Sequence, residues 1–366
     1  MAPDHELIVV GAGLLGLSAG RALAARGRDA VILEQATPGH PGGGSHGSCR
    51  IFRLGYADPG LVAMAAQSRE LWHELEAQSG QQILRPTPHL TFGPGLGGVH
   101  EGMRDAGAAT ELLNASEVAD RFPGLAVGGP ALLEPESCVI AADVALAALA
   151  GAGPGVRAGF RVASLHDDGR QVTAAGADGT VLTARHVIVC AGPWTARLLG
   201  PAGIAVPSAP TLEQVAYFGP AGDPPPGMPI FIRHPEPAPY GLPVPGSALY
   251  KLGIHPSGPP TDPDHQDSGA DEGLLARFSA LAAAYLPGHS PQPVKTERCI
   301  YDNSPDEDFI VDQSGRITVG CGTSGHGFKF GPLLGGWLAS LAAGAPEELP
   351  TDRFGLGRLR RAAAAG

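Results

Sequence analysis

The sequence predicts an α/β protein, α+β overall, in which two domains are interleaved and the second is built on an antiparallel sheet. Three observations predict this class. A strand–turn–helix–strand pattern opens the chain, two later strands each run into glycine and then a helix, and the intervening segments are turn-rich with short alternating apolar runs. A length of 366 residues suits two modest domains. We expect the first domain to comprise residues 1–88, 140–208 and 296–366 and the second to comprise residues 89–139 and 209–295.

The first element is a βαβ unit. Glu6–Val10 is a short apolar strand, Gly11–Gly16 a turn, Leu17–Ala25 a helix, and Ala30–Glu34 a second apolar strand. Apolar runs of this length, punctuated by glycine, are typical of strands buried on both faces with a helix between them.

Four further elements follow in order. Apolar positions at helical spacing predict a long amphipathic helix over Pro59–Gln78. Ala184–Cys190 and Arg316–Cys321 read as strands, and Leu333–Ala342 as a helix. The 54 glycines and 36 prolines concentrate between these patterned segments, so they mark loops rather than general disorder.

Composition excludes several classes of function. The net charge is −11 and the basic residues are scattered, which argues against a nucleic-acid surface. The longest apolar stretch is broken by glycines and by Arg21, so we expect no membrane span, and no basic leader precedes it. Five cysteines without CxxC spacing fit a reduced, cytoplasmic protein without disulfides or a metal site.

The turn after the first strand carries a dinucleotide fingerprint, formed by Gly11, Gly13 and Gly16. Glycines at these positions allow a tight turn and leave the helix N-terminus facing a pyrophosphate. Glu34 ends the second strand, where a carboxylate accepts hydrogen bonds from a ribose diol and repels the 2′-phosphate of NADP. We therefore expect a Rossmann-type domain that binds FAD or NAD, between which the motif does not decide.

A glycine-rich stretch over residues 44–56 contains Ser45 and two arginines three residues apart, Arg50 and Arg53. Such a stretch is typical of a loop that wraps a cofactor and aims cations at anionic groups. From the chemistry alone, a surface loop with solvated arginines fits equally well.

Four stretches together resemble the monomeric sarcosine oxidase family, which includes N-methyltryptophan oxidase within the larger group of D-amino-acid-oxidase-like flavoproteins. They are the N-terminal fingerprint, Ser45-His46-Gly47 with Arg50-x-x-Arg53, Cys299-Ile300-Tyr301 ahead of Pro305–Asp312, and Ser324–Lys329. The resemblance spans nearly the whole chain in the same order, and the last two stretches are much more specific than the fingerprint.

The resemblance implies an FAD cofactor attached covalently through a thioether to Cys299, although an isolated cysteine is more often a small core residue. Arg50 matches the arginine that lies against the flavin. Arg53 and Lys329 match the pair that holds the substrate carboxylate. Lys251 matches the lysine that stabilises superoxide as oxygen accepts the first electron, a task that suits preorganised positive charge.

Lysine scarcity supports two of these positions. The chain contains three lysines, Lys251, Lys295 and Lys329, and uses arginine for its other basic residues. A compact ammonium is not interchangeable with a planar guanidinium, so lysines retained at motif positions favour a specific role. The alternative is a random surface lysine, which is how we interpret Lys295.

Further site residues follow from the same resemblance. Tyr240 and His255 match residues of the substrate face, although either would otherwise be an ordinary strand residue. His326 is interpreted as a loop histidine without a proton-transfer role and Trp194 as a core residue. Successive glycine amides ahead of the last helix form a positive site for the pyrimidine end of the flavin. Residues that match other cofactor contacts are Val162, Ala191, Gly192, Gly325, Gly327 and Phe328.

The sequence also departs from the family pattern. Cys49 replaces a usual threonine beside the flavin. Phe231 and the proline-rich Pro235–Pro245 reshape the presumed substrate wall, and the loop over Pro256–Gly269 is longer than expected. These changes leave FAD chemistry intact but argue against assuming that sarcosine is the substrate.

Together these features predict an FAD-dependent amine oxidase that acts on a secondary amino acid, whether N-methyl, N-alkyl or cyclic. A hydride equivalent would pass to the flavin to give an imine, and O2 would reoxidise the flavin to give H2O2. The expected partners are therefore the amino-acid substrate and O2, and the family implies a monomer. Alternatives are a flavin-dependent dehydrogenase or desaturase of a cyclic imino acid in a biosynthetic pathway, an NAD-linked dehydrogenase, and a flavin-binding protein without turnover.

Overall fold

In the part of the chain that the structure describes, the strands form three sheets. A computed structural model describes residues 2–223, 226–266, 269–344 and 350–359. The strands are β1 His5–Val10, β2 Ala30–Glu34, β3 Cys49–Phe52, β4 Leu84–Pro86, β5 His89–Phe92, β6 Glu111–Leu113, β7 Ala131–Glu134, β8 Cys138–Ala141, β9 Val156–Ala158, β10 Val162–Asp167, β11 Val172–Gly176, β12 Val181–Val189, β13 Ala209–Pro220, β14 Ile230–Arg233, β15 Ala238–Pro243, β16 Tyr250–His255, β17 His289–Asn303, β18 Ile310–Ser314 and β19 Ile317–Cys321.

The helices lie mainly against the first sheet. They are α1 Leu14–Ala25, α2 Pro59–Ser79, α3 Leu96–Asp105, α4 Ala115–Arg121, α5 Ala142–Ala152, α6 Thr195–Leu199, α7 Glu272–Tyr285, α8 Gly331–Ala342 and α9 Thr351–Phe354. Within the described ranges, no helix is long and apolar enough to cross a membrane.

The first sheet has a parallel centre, in which β9, β2, β1, β12 and β19 lie side by side. β18 pairs antiparallel with β19, and the β10–β11 hairpin pairs with the first half of β12. The centre is buried on both faces, as the apolar runs of β1, β2 and β12 predict. The carboxyl ends of β1 and β2 therefore lie side by side and open toward the same edge.

Helix α1 packs directly on α8, which joins two segments more than 300 residues apart in the sequence. A Cβ on Gly335 would lie 2.4 Å from the Cβ of Ser18, so only glycine permits this approach of the two helices. Helix α5 packs on the other side of α1, and α2 packs on α8 and α5. The fingerprint turn thereby rests on an apolar core that four separated segments contribute.

The second sheet has the order β17–β13–β16–β15–β14–β5–β7–β6 and is antiparallel except between β14 and β5. Helix α7 covers one of its faces, where Phe218, Phe231 and Phe278 form part of the core. β17 runs from residue 289 to residue 303, across the expected domain boundary at residue 295, and pairs with β13 along its length. A third, small sheet of β3, β8 and β4 lies between the other two.

The predicted α/β class is confirmed, including the parallel and antiparallel sheets. β2 has the predicted bounds, and α2 extends one residue beyond the predicted helix. The predicted starts of α1, at Leu17, and of α8, at Leu333, were wrong by a few residues. In the structure α1 begins at Leu14 and α8 begins at Gly331. In α1 the reason is Gly16, which was read as turn, whereas a helix that packs closely on a neighbour accepts glycine in its first turn.

Candidate active site

One cavity of about 1020 Å³ lies between the carboxyl edge of the first sheet and the face of the second sheet that α7 does not cover. The predicted site residues that line it are Gly11, Gly13, Glu34, Ser45, Arg50, Arg53, Val162, Ala191, Gly192, Tyr240, Lys251, His255, Cys299, Gly325, Gly327, Phe328 and Lys329. They come from all three sheets and from five loops, so the fold brings together residues more than 300 positions apart in the sequence.

Gly16 is the predicted site residue that does not line this cavity. It lies in the first turn of α1, and a Cβ there would sit 1.9 Å from the carbonyl oxygen of Gly11. Its role in this structure is to let α1 pack against the end of β1, which aims the first turn of the helix at the cavity. The hydroxyl of Ser45 accepts a hydrogen bond of 3.0 Å from Leu14 N and joins the next loop to this turn.

Glu34 lies at the end of β2 with both carboxylate oxygens engaged. One accepts from Ala12 N at 2.8 Å and the other accepts from Ala36 N at 2.9 Å, and His40 Nε2 lies 3.4 Å away. Burial acts to raise the pKa of Glu34, but these hydrogen bonds outweigh it and lower the pKa. The group is therefore a carboxylate at neutral pH, as binding of a ribose diol requires.

At the same end of the cavity, Asp264 in the loop after β16 forms a cluster of contacts with lining residues. Its carboxylate accepts hydrogen bonds from Trp194 Nε1 at 2.8 Å, from Arg161 at 3.0 Å and from Arg197 at 2.5 Å. The interpretation of Trp194 as a core residue is wrong, because this side chain is partly exposed and lies on the cavity wall. The loop thereby ties the second sheet to β10 and α6.

The middle of the cavity is lined by Arg50 and Cys299. The guanidinium of Arg50 donates to the carbonyl oxygens of Cys49 at 2.9 Å and His46 at 2.5 Å, which holds it in a fixed orientation. Cys299 Sγ lies 4.0 Å from Arg50 Nη2 and 3.4 Å from the carbonyl oxygen of Gly44. The partly exposed sulfur of Cys299 is therefore accessible from the cavity.

Lys251 lies on β16 with 6% of its surface exposed. Its Nζ donates to the carbonyl oxygen of Cys49 at 3.4 Å and lies 5.9 Å from the centre of the Tyr217 ring. Burial is the main cause that lowers the pKa of Lys251, with a contribution from the charge of Arg50. The strand places this ammonium within the cavity wall, whereas Lys295 is a surface lysine that pairs with Glu297.

Lys329, Tyr56 and Arg53 form a second positive group at the other end of the cavity. Lys329 Nζ donates to Tyr56 Oη and to the carbonyl oxygen of His326, both at 2.8 Å. The Arg53 guanidinium lies over the Tyr56 ring, 4.1 Å from its centre. Among the described residues, Arg53 Nη1 is a buried donor without a hydrogen-bond partner. Such a donor is costly unless an anion receives it, so this cluster is suited to a carboxylate.

The backbone of Lys329 is held from the opposite side by α2. Its carbonyl oxygen accepts hydrogen bonds from Ser68 Oγ at 2.6 Å and Trp72 Nε1 at 2.8 Å. Burial and the charge of Arg53 together lower the pKa of Lys329 well below its usual value. The surroundings of Lys329 therefore destabilise its protonated form, and a bound anion would stabilise that form.

Tyr240, His255 and Tyr301 line the face opposite these cations. The His255 ring lies 5.5 Å from that of Tyr301, and its Nε2 lies 3.7 Å from Glu236. Burial and the charges of Arg53 and Lys329 lower the pKa of His255 to about 4. The ring is therefore neutral at physiological pH and is only a weak base.

The turn before α8 places Gly325, Gly327 and Phe328 along the cavity. His326, in the same turn, has both ring nitrogens engaged, with Tyr56 Oη at 3.3 Å and the carbonyl oxygen of Glu307 at 3.1 Å. Burial lowers the pKa of His326 to about 3, so it holds Tyr56 rather than exchanging protons near neutral pH.

One expectation about the substrate wall was wrong. Phe231 is fully buried in the core beneath α7, where it packs on Phe92, Tyr250 and Tyr285. Its neighbour Ile232 lines the cavity instead, because successive residues of a strand point to opposite faces of the sheet.

Sequence reasoning also missed several residues of the site. Tyr56 lies in the glycine-rich stretch but has no pattern of its own, and Ser68 and Trp72 are two polar positions on the apolar face of α2. The buried pair of Glu134 and His89 lies behind Arg53, with an Nδ1–Oε2 distance of 3.4 Å. A charged residue within the apolar run of β7 was the signal available for Glu134.

The residues present fit FAD. The cavity runs without interruption from the fingerprint turn and the ionised Glu34, past Arg50 and Cys299, to the cations at Arg53 and Lys329. An extended dinucleotide matches this arrangement, with diphosphate at the N-terminus of α1 and the flavin beneath the second sheet. No cluster of potential metal ligands occurs among the described residues, so the structure offers no metal centre in those ranges.

Comparison with known proteins agrees with this geometry. A family model described as FAD dependent oxidoreductase (DAO) matches residues 6–341. Monomeric sarcosine oxidase of Bacillus sp. (strain NS-129) is 32% identical over 98% of this chain and 98% of its own. N-methyl-L-tryptophan oxidase of Yersinia pestis (strain Pestoides F) is 30% identical over 98% of this chain and 100% of its own. NikD, described as an unusual amino acid oxidase essential for nikkomycin biosynthesis, superposes with a TM-score of 0.86 at 25% identity, over 97% of this chain and 98% of that chain.

Proposed function

The chain belongs to the DAO family of FAD-dependent oxidoreductases, and we propose that within it this enzyme oxidises a secondary amino acid, N-methyl, N-alkyl or cyclic, to an imine. It is a flavin enzyme that acts on CH–NH groups, like its curated relatives. The observation that carries the proposal is the convergence of Arg53 and Lys329, with a buried unpaired donor, on one end of the cavity. This arrangement suits the carboxylate of an amino acid.

The substrate carboxylate is bound by Arg53 and Lys329, and the amine points toward Tyr240 and His255 on the opposite wall. Bound FAD supplies the acceptor for a hydride equivalent from the carbon next to the substrate nitrogen. The protein residues bind and orient the substrate, and His255 and His326 are both only weak bases near neutral pH. The substrate amine therefore reacts in its unprotonated form.

Covalent attachment of the flavin to Cys299 is part of the proposal. The position of Cys299 supports it, because its sulfur is partly exposed on the cavity wall beside Arg50. Protein precipitated with acid should therefore remain yellow, and Cys299→Ser should release its flavin under the same treatment. Cys49→Ser is the matched control, since Cys49 lines the same cavity and has no proposed bond to the flavin. Colourless precipitate from the unaltered protein would contradict the attachment.

We also propose that O2 is the electron acceptor and that H2O2 is the product. Support comes from Lys251, which holds a positive charge in the wall of the cavity, where it can stabilise negative charge that develops on oxygen. The dehydrogenase or desaturase alternative is not favoured, because the curated relatives named above are oxidases. The yield of peroxide per turnover under air measures the acceptor directly, and one peroxide per substrate is the expected result.

The decisive experiment is an anaerobic screen of N-methyl and cyclic amino acids in which bleaching of the visible flavin band reports reduction. Each amino acid is paired with its carboxamide, which lacks the anion, and with its N-acetyl derivative, whose nitrogen cannot donate electrons. We expect bleaching by at least one free secondary amino acid and by neither of its paired derivatives. Bleaching by none of these amino acids, or by the carboxamides equally, would refute the proposed substrate class.

The remaining assignments belong to the same proposal. We assign the first sheet and its helices to an FAD-binding domain and the second sheet to a substrate domain, and we expect a cytoplasmic monomer. Sedimentation of the purified protein at several concentrations tests the monomer, whose expected mass is 37.2 kDa.

A further inference from the structure

Glu134, at the end of β7, is a buried carboxylate that has no part in the family resemblance. Its exposed fraction is 1%, and four donors surround it. One oxygen accepts from Leu54 N at 2.5 Å and from Ser137 Oγ at 2.6 Å. The other accepts from Gly55 N at 2.9 Å and lies 3.4 Å from His89 Nδ1. All the oxygen lone pairs are thus used within the protein, so Glu134 itself does not bind a ligand.

The two backbone amides belong to the loop that carries the proposed carboxylate-binding residues. Leu54 and Gly55 lie between Arg53 and Tyr56, so a carboxylate that fixes both amides fixes the directions in which these two side chains leave the backbone. The stacked contact between Arg53 and Tyr56, and the bond from Lys329 to Tyr56, both depend on this segment. A chain of direct contacts therefore links Glu134 to all three groups.

Glu134 also supplies a negative charge that acts on Lys329. Lys329 lies among groups from several elements: Arg53 and Tyr56 in the loop after β3, His326 in its own turn, His255 on β16 and His89 on β5. Burial and the charge of Arg53 lower the pKa of Lys329, and the charge of Glu134 opposes them. Because the histidines are neutral near physiological pH, Glu134 is the acidic group that favours the protonated lysine.

We propose that Glu134 is a positioning residue for the substrate-carboxylate site: it orients Arg53 and Tyr56 through the amides of Leu54 and Gly55 and keeps Lys329 charged. The inference rests on the proposed function, in which Arg53 and Lys329 bind the substrate carboxylate. It predicts that loss of the Glu134 charge selectively weakens the binding of anionic ligands, without any contact between Glu134 and the ligand.

The test compares two unreactive probes by calorimetry on the flavin-loaded enzyme. Tetrahydrofuran-2-carboxylate carries the anion, and tetrahydrofuran-2-carboxamide has the same ring without it. In Glu134→Gln, an amide group faces two backbone donors, so the loop loses one of its anchors. We expect the Kd of the acid to rise at least tenfold and that of the amide to change less than twofold. The alkaline limit of acid binding should also move to lower pH, because Lys329 loses the charge that raises its pKa.

Glu76→Gln is the matched control. Glu76 also accepts from two successive amides, Ile83 N at 2.6 Å and Leu84 N at 2.8 Å, and from a histidine, but it lies away from the cavity. We expect its ratio of acid to amide affinity to equal that of the unaltered enzyme. Should Glu134→Gln fail to fold, Ser137→Ala removes one bond to the same carboxylate and should raise the Kd of the acid about threefold.

Equal weakening of both probes in Glu134→Gln, or an unchanged acid affinity in the variant that folds, would overturn the inference, since a merely structural role does not discriminate by ligand charge. Failure of the proposed function is a separate result. In that case the unaltered enzyme itself would bind the acid and the amide equally, before any variant is compared.

Discussion

Replacement of Lys329 by methionine should move ligand affinity and protein stability in different directions. The ammonium donates to Tyr56 Oη and to the carbonyl oxygen of His326 and is the buried partner of Arg53 in the proposed carboxylate site. A hydrogen bond to a charged group contributes about 1.5–3 kcal/mol. Removal of this one should therefore raise the KM of the amino acid by a factor of about 10 to 150.

Stability should not fall with affinity. The pKa of Lys329 in the folded chain lies well below that of the unfolded chain, 10.5, so between these two values the unfolded chain binds more protons. In that window folding stability rises with pH, and below it the buried charge destabilises the fold by a constant amount. Methionine has a similar volume and no charge to bury, so it removes this penalty. We expect a Tm equal to or above that of the unaltered protein.

The assay pairs steady-state kinetics with thermal unfolding at pH 7 and pH 10. Lys295→Met is the matched control, because the Lys295 side chain is 57% exposed and lies outside the site, and it should change neither KM nor Tm measurably. An unchanged KM in Lys329→Met would remove this lysine from the carboxylate site. A large fall in Tm would refute the reasoning about its buried charge.

Three further outcomes are expected. Lys251→Met should slow reoxidation of the reduced enzyme by O2 about 100-fold in stopped-flow measurements while anaerobic reduction changes little; equal slowing of both would argue against its oxygen role. Gly16→Ala should abolish retention of FAD, because its Cβ would sit 1.9 Å from the carbonyl oxygen of Gly11. Gly151→Ala in α5 is the control: a Cβ there would meet no neighbouring residue within 4 Å, so this variant should stabilise the fold by about 0.5–1 kcal/mol. Burial raises the pKa of Asp302 to about 6, so folding stability falls as pH rises from 4 to 6. Asp302→Asn should therefore increase the free energy of unfolding by up to about 3 kcal/mol above pH 6 and leave it unchanged below pH 4. A gain in stability that does not depend on pH would contradict this.

The parts of the fold that were predictable from sequence are those that local patterns of apolar residues and glycine specify. The β1–α1–β2 unit has continuous apolar runs and a glycine turn, and its bounds were correct to within three residues at the start of α1. The residues proposed for the cavity were predictable because their motifs are short and ordered along the chain. All but Gly16 line one cavity, although their individual roles stay predictions.

The sequence did not predict which way some side chains face or which residues far apart in the chain contact each other. The face on which Phe231 lies depends on the register of β14 between β15 and β5, which no local pattern specifies. The amides of Leu54 and Gly55 that bind Glu134 are 80 and 79 positions away in sequence, so these contacts form only when β7 and the loop after β3 meet. The same holds for Trp194, whose partner Asp264 belongs to a loop 70 positions later.

The packing of α1 on α8 has a consequence for synthesis of the chain on the ribosome. The fingerprint turn emerges well before the helix that supports α1, which begins 317 residues later, counted from Leu14 to Gly331. At a rate of synthesis of roughly 5–20 residues per second, the apolar face of α1 stays uncovered for roughly 15 to 60 s. The nascent chain therefore needs protection from aggregation during this interval, and nascent chains that stop before α8 should neither bind flavin nor resist proteolysis.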